Sequence, residues 1–361
     1  MPGLISRAAA VIAVVGVYST SVLSGRAADT DSVSFGPSSF VGAAWTYPPD
    51  IPDATVEVYK QVGDIKLQAW ILHPDQDQYP TARPAVVFFF GGGWRSGTPM
   101  QFLHQARYLR SRGVTAFLCD YRVASRHDVK AVDCVEDAKS AIRWVRQHAE
   151  RLHLNPNQIC AAGGSAGGHT ACATGLLPEF DASDEDLSIS SVPNAMALYN
   201  PAVMLAPLAD VDVPDTESTR FEELKPRLGV ESERISPIHH VRPGLPPCVI
   251  FHGMADPTVP FATVEEITRR MLAAGNEQCV LHGYKGAPHG FFNWRGGAVA
   301  PGVEDLNRDN QLQWNLRTTR QLDQFLQDLG WLTAPDQIAI VDNDNVRLRG
   351  SLSNSRAVFT Q

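Results

Sequence analysis

The stretch Gln158-Ile159-Cys160-Ala161-Ala162-Gly163-Gly164-Ser165-Ala166-Gly167-Gly168-His169 decides the fold. Its first five residues read as a strand and Ser165–Leu177 reads as a helix, so the serine stands at the crossing between them. Gly163 and Gly167 flank it two positions either side, in the pattern G-x-S-x-G. That pattern has meaning only in this context of strand, very tight turn and helix. Bulky neighbours would clash in such a turn. The turn also sets Ser165 at a helix N-terminus, where unpaired N–H groups favour negative charge. A glycine-rich turn of this kind can also bind phosphate or simply pack, so the rest of the chain has to decide.

Strands and helices alternate on both sides of it. Ala54–Gln61 and Lys66–His73 read as an antiparallel opening pair around Gly63-Asp64. Ala85–Phe90 is wholly apolar, as expected of a central strand covered on both faces. Gln101–Arg112 reads as a helix stopped by Gly113, Val114–Tyr121 as a strand and Val132–His153 as a long helix. Ala195–Tyr199, Pro247–His252 and Cys279–Tyr284 are further strands; Phe261–Ala274 and Leu306–Leu329 are helices. Residues 205–233 are acidic, hold several prolines and show little apolar periodicity, and they read as an insertion over the top of the sheet. Residues 333–361 lack a clear period and read as a surface tail. The expected fold class is α/β, with a mainly parallel central sheet and helices on both faces over residues 54–332. Such sheets carry their chemistry at the carboxyl ends of the strands.

A lone serine hydroxyl is a poor nucleophile and needs a base, with a carboxylate to orient that base. Both stand downstream, each just after an expected strand. Asp256 lies in His252-Gly253-Met254-Ala255-Asp256-Pro257, and His289 lies in Gly286-Ala287-Pro288-His289-Gly290. Singly either would be a turn or surface group; in this order, each at a strand's carboxyl end, they make a catalytic set with Ser165. A tetrahedral acyl intermediate would also need N–H donors for its oxyanion. Ala166, directly after the serine, is one candidate. Gly92 and Gly93 in Phe90-Gly91-Gly92-Gly93-Trp94 are the others, since glycines let the backbone come close to a substrate oxygen. Trp94 is a candidate wall of the acyl pocket, with a plain packing role as the equal alternative. His169, on the serine's own helix, reads as a packing residue under the turn, and Phe291 and Phe292 read mostly as core.

The chain has 361 residues, a net charge of −8, 44% apolar and 19% charged residues, a mixture that excludes a wholly disordered chain. The negative balance argues against a nucleic-acid partner, which needs a basic stripe. His239-His240 has no carboxylate or third histidine at useful spacing, so no metal is expected, and the chemistry above needs no organic cofactor. Residues 1–27 read as a secretory signal peptide: Arg7, the apolar run Ala8–Val17, then small residues up to Ala27. That run is shorter than the roughly 18 residues a membrane span needs. A secreted or periplasmic location is therefore expected, with residues 28–53 as a lead-in. Export permits disulfides, but Cys119, Cys134, Cys160, Cys172, Cys248 and Cys279 show no C-x-x-C spacing, and several sit in apolar runs.

On Gly163–Gly168, the Ser165, Asp256, His289 order and the Gly91-Gly92-Gly93 loop, the chain resembles the α/β-hydrolase superfamily. The likeness is to its carboxylesterase and acetyl-esterase branch related to hormone-sensitive lipases, and to the exported bifunctional feruloyl and acetyl-xylan esterases. The motifs span Phe90 to His289. In that branch the glycine loop usually reads H-G-G-G; here Phe90 replaces the histidine, which leaves the N–H donors but questions the loop's support. Asp120-Tyr121-Arg122 also matches the branch, with Arg122 pairing locally. Lipase-like relatives carry a helical cap ahead of the first strand, whereas only a short lead-in precedes it here. The resemblance thus implies a serine ester hydrolase with an open cleft, acting on short-chain, above all acetyl, esters such as those of plant polysaccharide. Feruloyl esters, a prolyl-oligopeptidase-type peptidase and a non-catalytic ligand-binding relative are the alternatives.

Overall fold

The computed structural model describes residues 45–210, 215–294, 306–333 and 345–349. The signal-peptide reading at residues 1–27 and most of the lead-in fall outside the described residues. In chain order the elements are β1 (Thr55–Val62), β2 (Ile65–Leu72), β3 (Arg83–Phe89), α1 (Leu103–Ser111), β4 (Thr115–Cys119) and α2 (Ala124–His127). They continue with α3 (Ala131–Gln147), β5 (Leu154–Gly164), α4 (Ala166–Leu176), β6 (Ala195–Tyr199), α5 (Asp215–Leu228) and α6 (Ser232–Ile235). The last are β7 (Cys248–Gly253), α7 (Phe261–Ala273), β8 (Cys279–Tyr284), α8 (Leu306–Asp328) and β9 (Asn345–Arg349).

Among the described residues nine strands form one sheet, in the order β1-β2-β4-β3-β5-β6-β7-β8-β9. Every pairing from β4 through β3 to β8 is parallel; β1, β2 and β9 join antiparallel at the two ends. This is the α/β-hydrolase fold, with a mainly parallel sheet. The reason lies in the strands. β4, β6, β7 and β8 are buried along their whole length, which suits strands covered on both faces. Alternate residues serve the two faces. Val87 and Phe89 join a core that includes Val135 and Ile142 of α3, Cys172 of α4 and Ile267 of α7. Phe88 stacks on Phe102, at the entry to α1, with ring centroids 4.9 Å apart. α1 is tied to α8 through Asp323, which accepts from Tyr108 and from Arg112 at 2.8 Å.

α4 is buried on every side, from Ala166 to Leu176. A helix can lie that deep only if it is small or apolar all round. Arg122, in the loop after β4, makes a two-pronged ion pair with the fully buried Asp137 of α3, with Nε–Oδ2 and Nη2–Oδ1 both 2.8 Å. Lys60 reaches the same carboxylate at 2.9 Å.

Several stretches differ from the sequence reading: the long helix, for one, ends at Gln147 rather than His153. β5 begins at Leu154 rather than Gln158: Arg83 pairs with Leu154 and a register shift then sets Ala85 against Ile159. Asn155-Pro156-Asn157 lie inside that register shift, where Asn157 N–H donates to Asn155 Oδ1 at 3.0 Å. Residues 205–233, read as an insertion, contain α5 and the start of α6, and α5 carries a narrow apolar seam of Phe221, Leu224 and Leu228 at helical spacing. The surface-tail reading of residues 333–361 is corrected at its middle, where β9 pairs antiparallel with β8, Leu348 opposite Leu281.

Candidate active site

The parallel strands deliver five loops to one rim. They are the glycine loop after β3, Ser165 after β5, Asn200 after β6, Asp256 after β7 and His289 after β8. Ser165 has φ 55° and ψ −119°, a backbone conformation that costs a non-glycine residue about 1–3 kcal/mol. Its surroundings hold it there. Its N–H donates to Tyr199 O at 2.8 Å, and its carbonyl accepts from His169 N at 2.9 Å. Space is set by glycine: a Cβ on Gly167 would run into the carbonyls of Phe89 and Phe90. The turn therefore fits against the end of β3 only with hydrogen at that position.

The three residues expected to act together are brought together. His289 Nε2 lies 2.9 Å from Ser165 Oγ, and His289 Nδ1 lies 2.7 Å from Asp256 Oδ2. Asp256 has no exposed side chain, whereas the histidine is 24% exposed, so the ring is reachable and its carboxylate is sealed. Asp256 Oδ1 accepts from the N–H groups of Thr258 at 2.8 Å and Val259 at 3.0 Å. Burial pushes this carboxyl up, but the His289 imidazole and those N–H groups outweigh it and hold it below the ordinary aspartate value.

Asn200 was missed in the sequence. With φ 42° it turns back at the end of β6, donates Nδ2 to Asp256 Oδ2 at 2.7 Å, and accepts from Gly290 N at 3.3 Å. It thus ties the aspartate to the histidine's own loop. The only signal was residue type, since asparagine tolerates positive φ better than most. His252 also stands near, with Nε2 3.9 Å from Asp256 Oδ2. Burial lowers its pKa to about 4 and keeps the ring neutral. Its Nδ1 faces Gly253 O, so Nε2 carries no proton to offer the aspartate.

The glycine loop abuts the serine. A Cβ on Gly91 would sit 2.7 Å from Gly164 O and 3.2 Å from Ser165 Cβ. Three of the loop's carbonyls have donors. Phe90 O accepts from Tyr121 Oη, Gly92 O from Arg95 N and Ser96 N at 3.1 and 3.2 Å, and Gly93 O from Arg227 Nη2. Gly91 N–H is taken by Gln101 Oε1, whose amide nitrogen bonds Asn293 Oδ1 at 3.0 Å. Among the described residues no protein acceptor takes the N–H of Gly92 or Gly93, and Ala166 N–H is free at the start of α4. Phe90, in place of the histidine of related loops, stacks on Tyr121 at 4.2 Å, and Gln101 supplies the polar support.

Trp94 is buried behind the loop with φ 58°, and its Nε1–H donates to His169 Nδ1 at 3.2 Å. His169 Nε2 faces Ile235 O at 2.8 Å, so the ring is a buried strut under the turn. His239 and His240 bond backbone carbonyls, and the described residues contain no cluster of three metal-ligating side chains. Phe291 and Phe292 are buried. All six cysteines are free and buried, with Cys248 and Cys279 Sγ 3.1 Å apart on β7 and β8. No described helix is long and apolar enough to cross a membrane.

A hydroxyl bonded to an imidazole, itself bonded to a sealed carboxylate, can attack a carbonyl carbon; free N–H groups beside it can hold the resulting oxyanion. The comparisons fit that chemistry. The profile of the BD-FAE family matches residues 71–271, and that of the dienelactone hydrolase family matches residues 232–324. The chain is 46% identical to Thermogutta terrifontis esterase 2 phosphonylated by sarin, over 80% of this chain and 100% of that one, with a TM-score of 0.72. For the propionate-bound structure of the same esterase the values are 46%, 80%, 99% and 0.70. It is 27% identical to Esterase LipC of Mycobacterium tuberculosis over 66% of this chain, and the match spans 60% of that relative's length.

Proposed function

We infer substrates and residue roles from one premise: this chain belongs to the BD-FAE family of α/β-hydrolases, in the branch related to hormone-sensitive lipases, and its catalytic domain is a serine ester hydrolase. In our reading Ser165 Oγ attacks the ester carbonyl while His289 takes its proton. Asp256 orients the imidazole and stabilises its cation. The N–H groups of Gly92, Gly93 and Ala166 hold the oxyanion, and Trp94 backs the loop that carries two of them. Collapse of the intermediate expels the alcohol, which receives the proton from His289. Water then repeats the sequence on the acyl-enzyme and releases the acid. The observation that carries this reading is the Ser165–His289–Asp256 relay, at 2.9 and 2.7 Å, against a glycine loop in which the N–H groups of Gly92 and Gly93 have no protein acceptor among the described residues.

The substrate we propose is a short-chain ester, acetyl above all, borne by plant polysaccharide such as acetylated xylan and met outside the cell. Support comes from the BD-FAE match and from the propionate held by the related Thermogutta esterase. The test is a panel of p-nitrophenyl esters run beside acetylated xylan and methyl ferulate, on wild type and Ser165→Ala. The expected result is a sharp fall beyond four carbons, acetate release from xylan, and loss of turnover by several orders of magnitude in the folded variant. A Ser165→Ala protein within tenfold of wild type overturns the mechanism. Activity on ferulate alone replaces acetyl by feruloyl esters.

A further inference from the structure

One cation at the rim is unaccounted for. Arg227, near the end of α5, lays its guanidinium on the glycine loop. Nη2 donates to Gly93 O, and Cζ lies 5.4 Å from the centroid of the Trp94 ring. Gly93 has φ 63°, and a Cβ there would strike Nη2, so loop and arginine are fitted to each other.

Among the described residues Arg146 and Arg242 bond only carbonyl and amide oxygens, but other arginines have a carboxylate. Arg122 has Asp137, Arg143 has Asp181, Arg112 has Asp323 and Arg126 has Asp120. Among the described residues Arg227 pairs with no carboxylate, and its Nε is shielded from solvent with no acceptor. Burial, and secondarily the positive charge of Arg95, lower its pKa, but an arginine keeps its proton. Arg95, exposed just after the loop, is a second cation with no carboxylate partner among the described residues, in a chain whose net charge is −8. Holding a half-buried guanidinium with an orphaned donor costs stability. An anion that reached the guanidinium from outside would supply the missing counter-charge.

We propose that Arg227 is a specificity-determining residue that receives a carboxylate borne by the ester substrate, so that the site favours anionic esters over neutral ones of equal size. This rests on the reading of Ser165 as the nucleophile and narrows it. Gly91, two residues before Gly93, is the loop's contact with Ser165, so Arg227 holds the same loop that abuts the nucleophile. On a polysaccharide the anion would be a uronic-acid carboxylate near the acetylated hydroxyl.

Two matched pairs of esters test it. One carries the charge on the acyl side: mono-p-nitrophenyl glutarate against p-nitrophenyl pentanoate. The other carries it on the leaving alcohol: 4-acetoxybenzoate against phenyl acetate. Wild type is expected to show a higher kcat/KM for the charged member of at least one pair. In Arg227→Met the charged-to-neutral ratio for that pair is expected to fall about 10- to 100-fold, mainly through KM. Arg227→Lys is expected to recover part of it, and raising salt to erode it. Equal losses on charged and neutral esters would show a merely structural arginine, and no charged preference in wild type would also overturn the proposal. If wild type cleaves no ester at all, the nucleophile reading falls, and this one with it.

Discussion

His289 Nε2 stands 2.9 Å from Ser165 Oγ although 124 positions separate the two residues in the chain. The same ring reaches Asp256 Oδ2 at 2.7 Å with its other nitrogen. One imidazole therefore couples two loops that share no local sequence, and its placement depends on whatever holds those loops in register.

Asn200 is the first such support. Removing it leaves Asp256 Oδ2 with one partner fewer and frees the backbone at Gly290. Asn200→Ala is expected to lower kcat about 10- to 100-fold, less than outright loss of the base, with the fold intact by circular dichroism. Asn200→Asp sets a second carboxylate against Asp256. The added negative charge favours the protonated form of the groups beside it, so the acid limb of kcat/KM moves to higher pH. Unchanged profiles in both variants would remove Asn200 from the site.

Strain at Ser165 gives a second expectation. Glycine adopts φ 55° without penalty, so Ser165→Gly abolishes turnover and leaves Tm at or above wild type. Ser165→Ala abolishes turnover as well but keeps the strain. A lower Tm for the glycine variant than for the alanine variant would show that the turn is not under tension.

Gly91→Ala tests the loop itself. The added methyl would press on Gly164 O and on Ser165 Cβ, 2.7 and 3.2 Å away. Loop and turn have to separate, and the N–H donors move off the oxyanion. A loss of about 100-fold or more in kcat is expected, with KM for p-nitrophenyl acetate little changed. The readout is steady-state kinetics on a variant of verified Tm.

These contacts differ in how far they could be foreseen. Ser165, Asp256 and His289 announce themselves because each sits directly after an apolar run, and such runs are local patterns. The glycine loop is visible for the same reason. Asn200 is not, because nothing in Tyr199-Asn200-Pro201 says that β6 will lie beside β7 and turn the amide onto Asp256. α5 was hidden because its buried seam is three residues wide in an acidic stretch, and Arg227 was hidden with it. β9 alternates polar and apolar residues over five positions, too few to stand out without knowledge of its partner β8. What escaped is what tertiary pairing creates.

Acid stability follows from three buried histidines. Burial lowers the pKa of His104, His169 and His252 to about 4 each. Unfolded, each would titrate near 6.5. Between about pH 6.5 and pH 4 the unfolded chain therefore binds more protons than the folded one, so stability rises with pH across that window and is lost as pH falls through it. Asp256, held low, adds a further loss below the ordinary aspartate range. Tm is expected to drop by several degrees or more from pH 7 to pH 4.5, and His169→Gln to flatten that slope. A Tm that rises on acidification would contradict the sign.

Gln101 joins the glycine loop to Asn293 across 192 positions of chain. Contacts so distant in sequence are intrinsically slow to form, because a long loop must close first. During renaturation from denaturant, ellipticity and tryptophan emission should recover before hydrolysis does. Catalytic rate is thus a stringent clock for the final docking of this molecule, and partially renatured material will look native to a spectrometer while remaining inert.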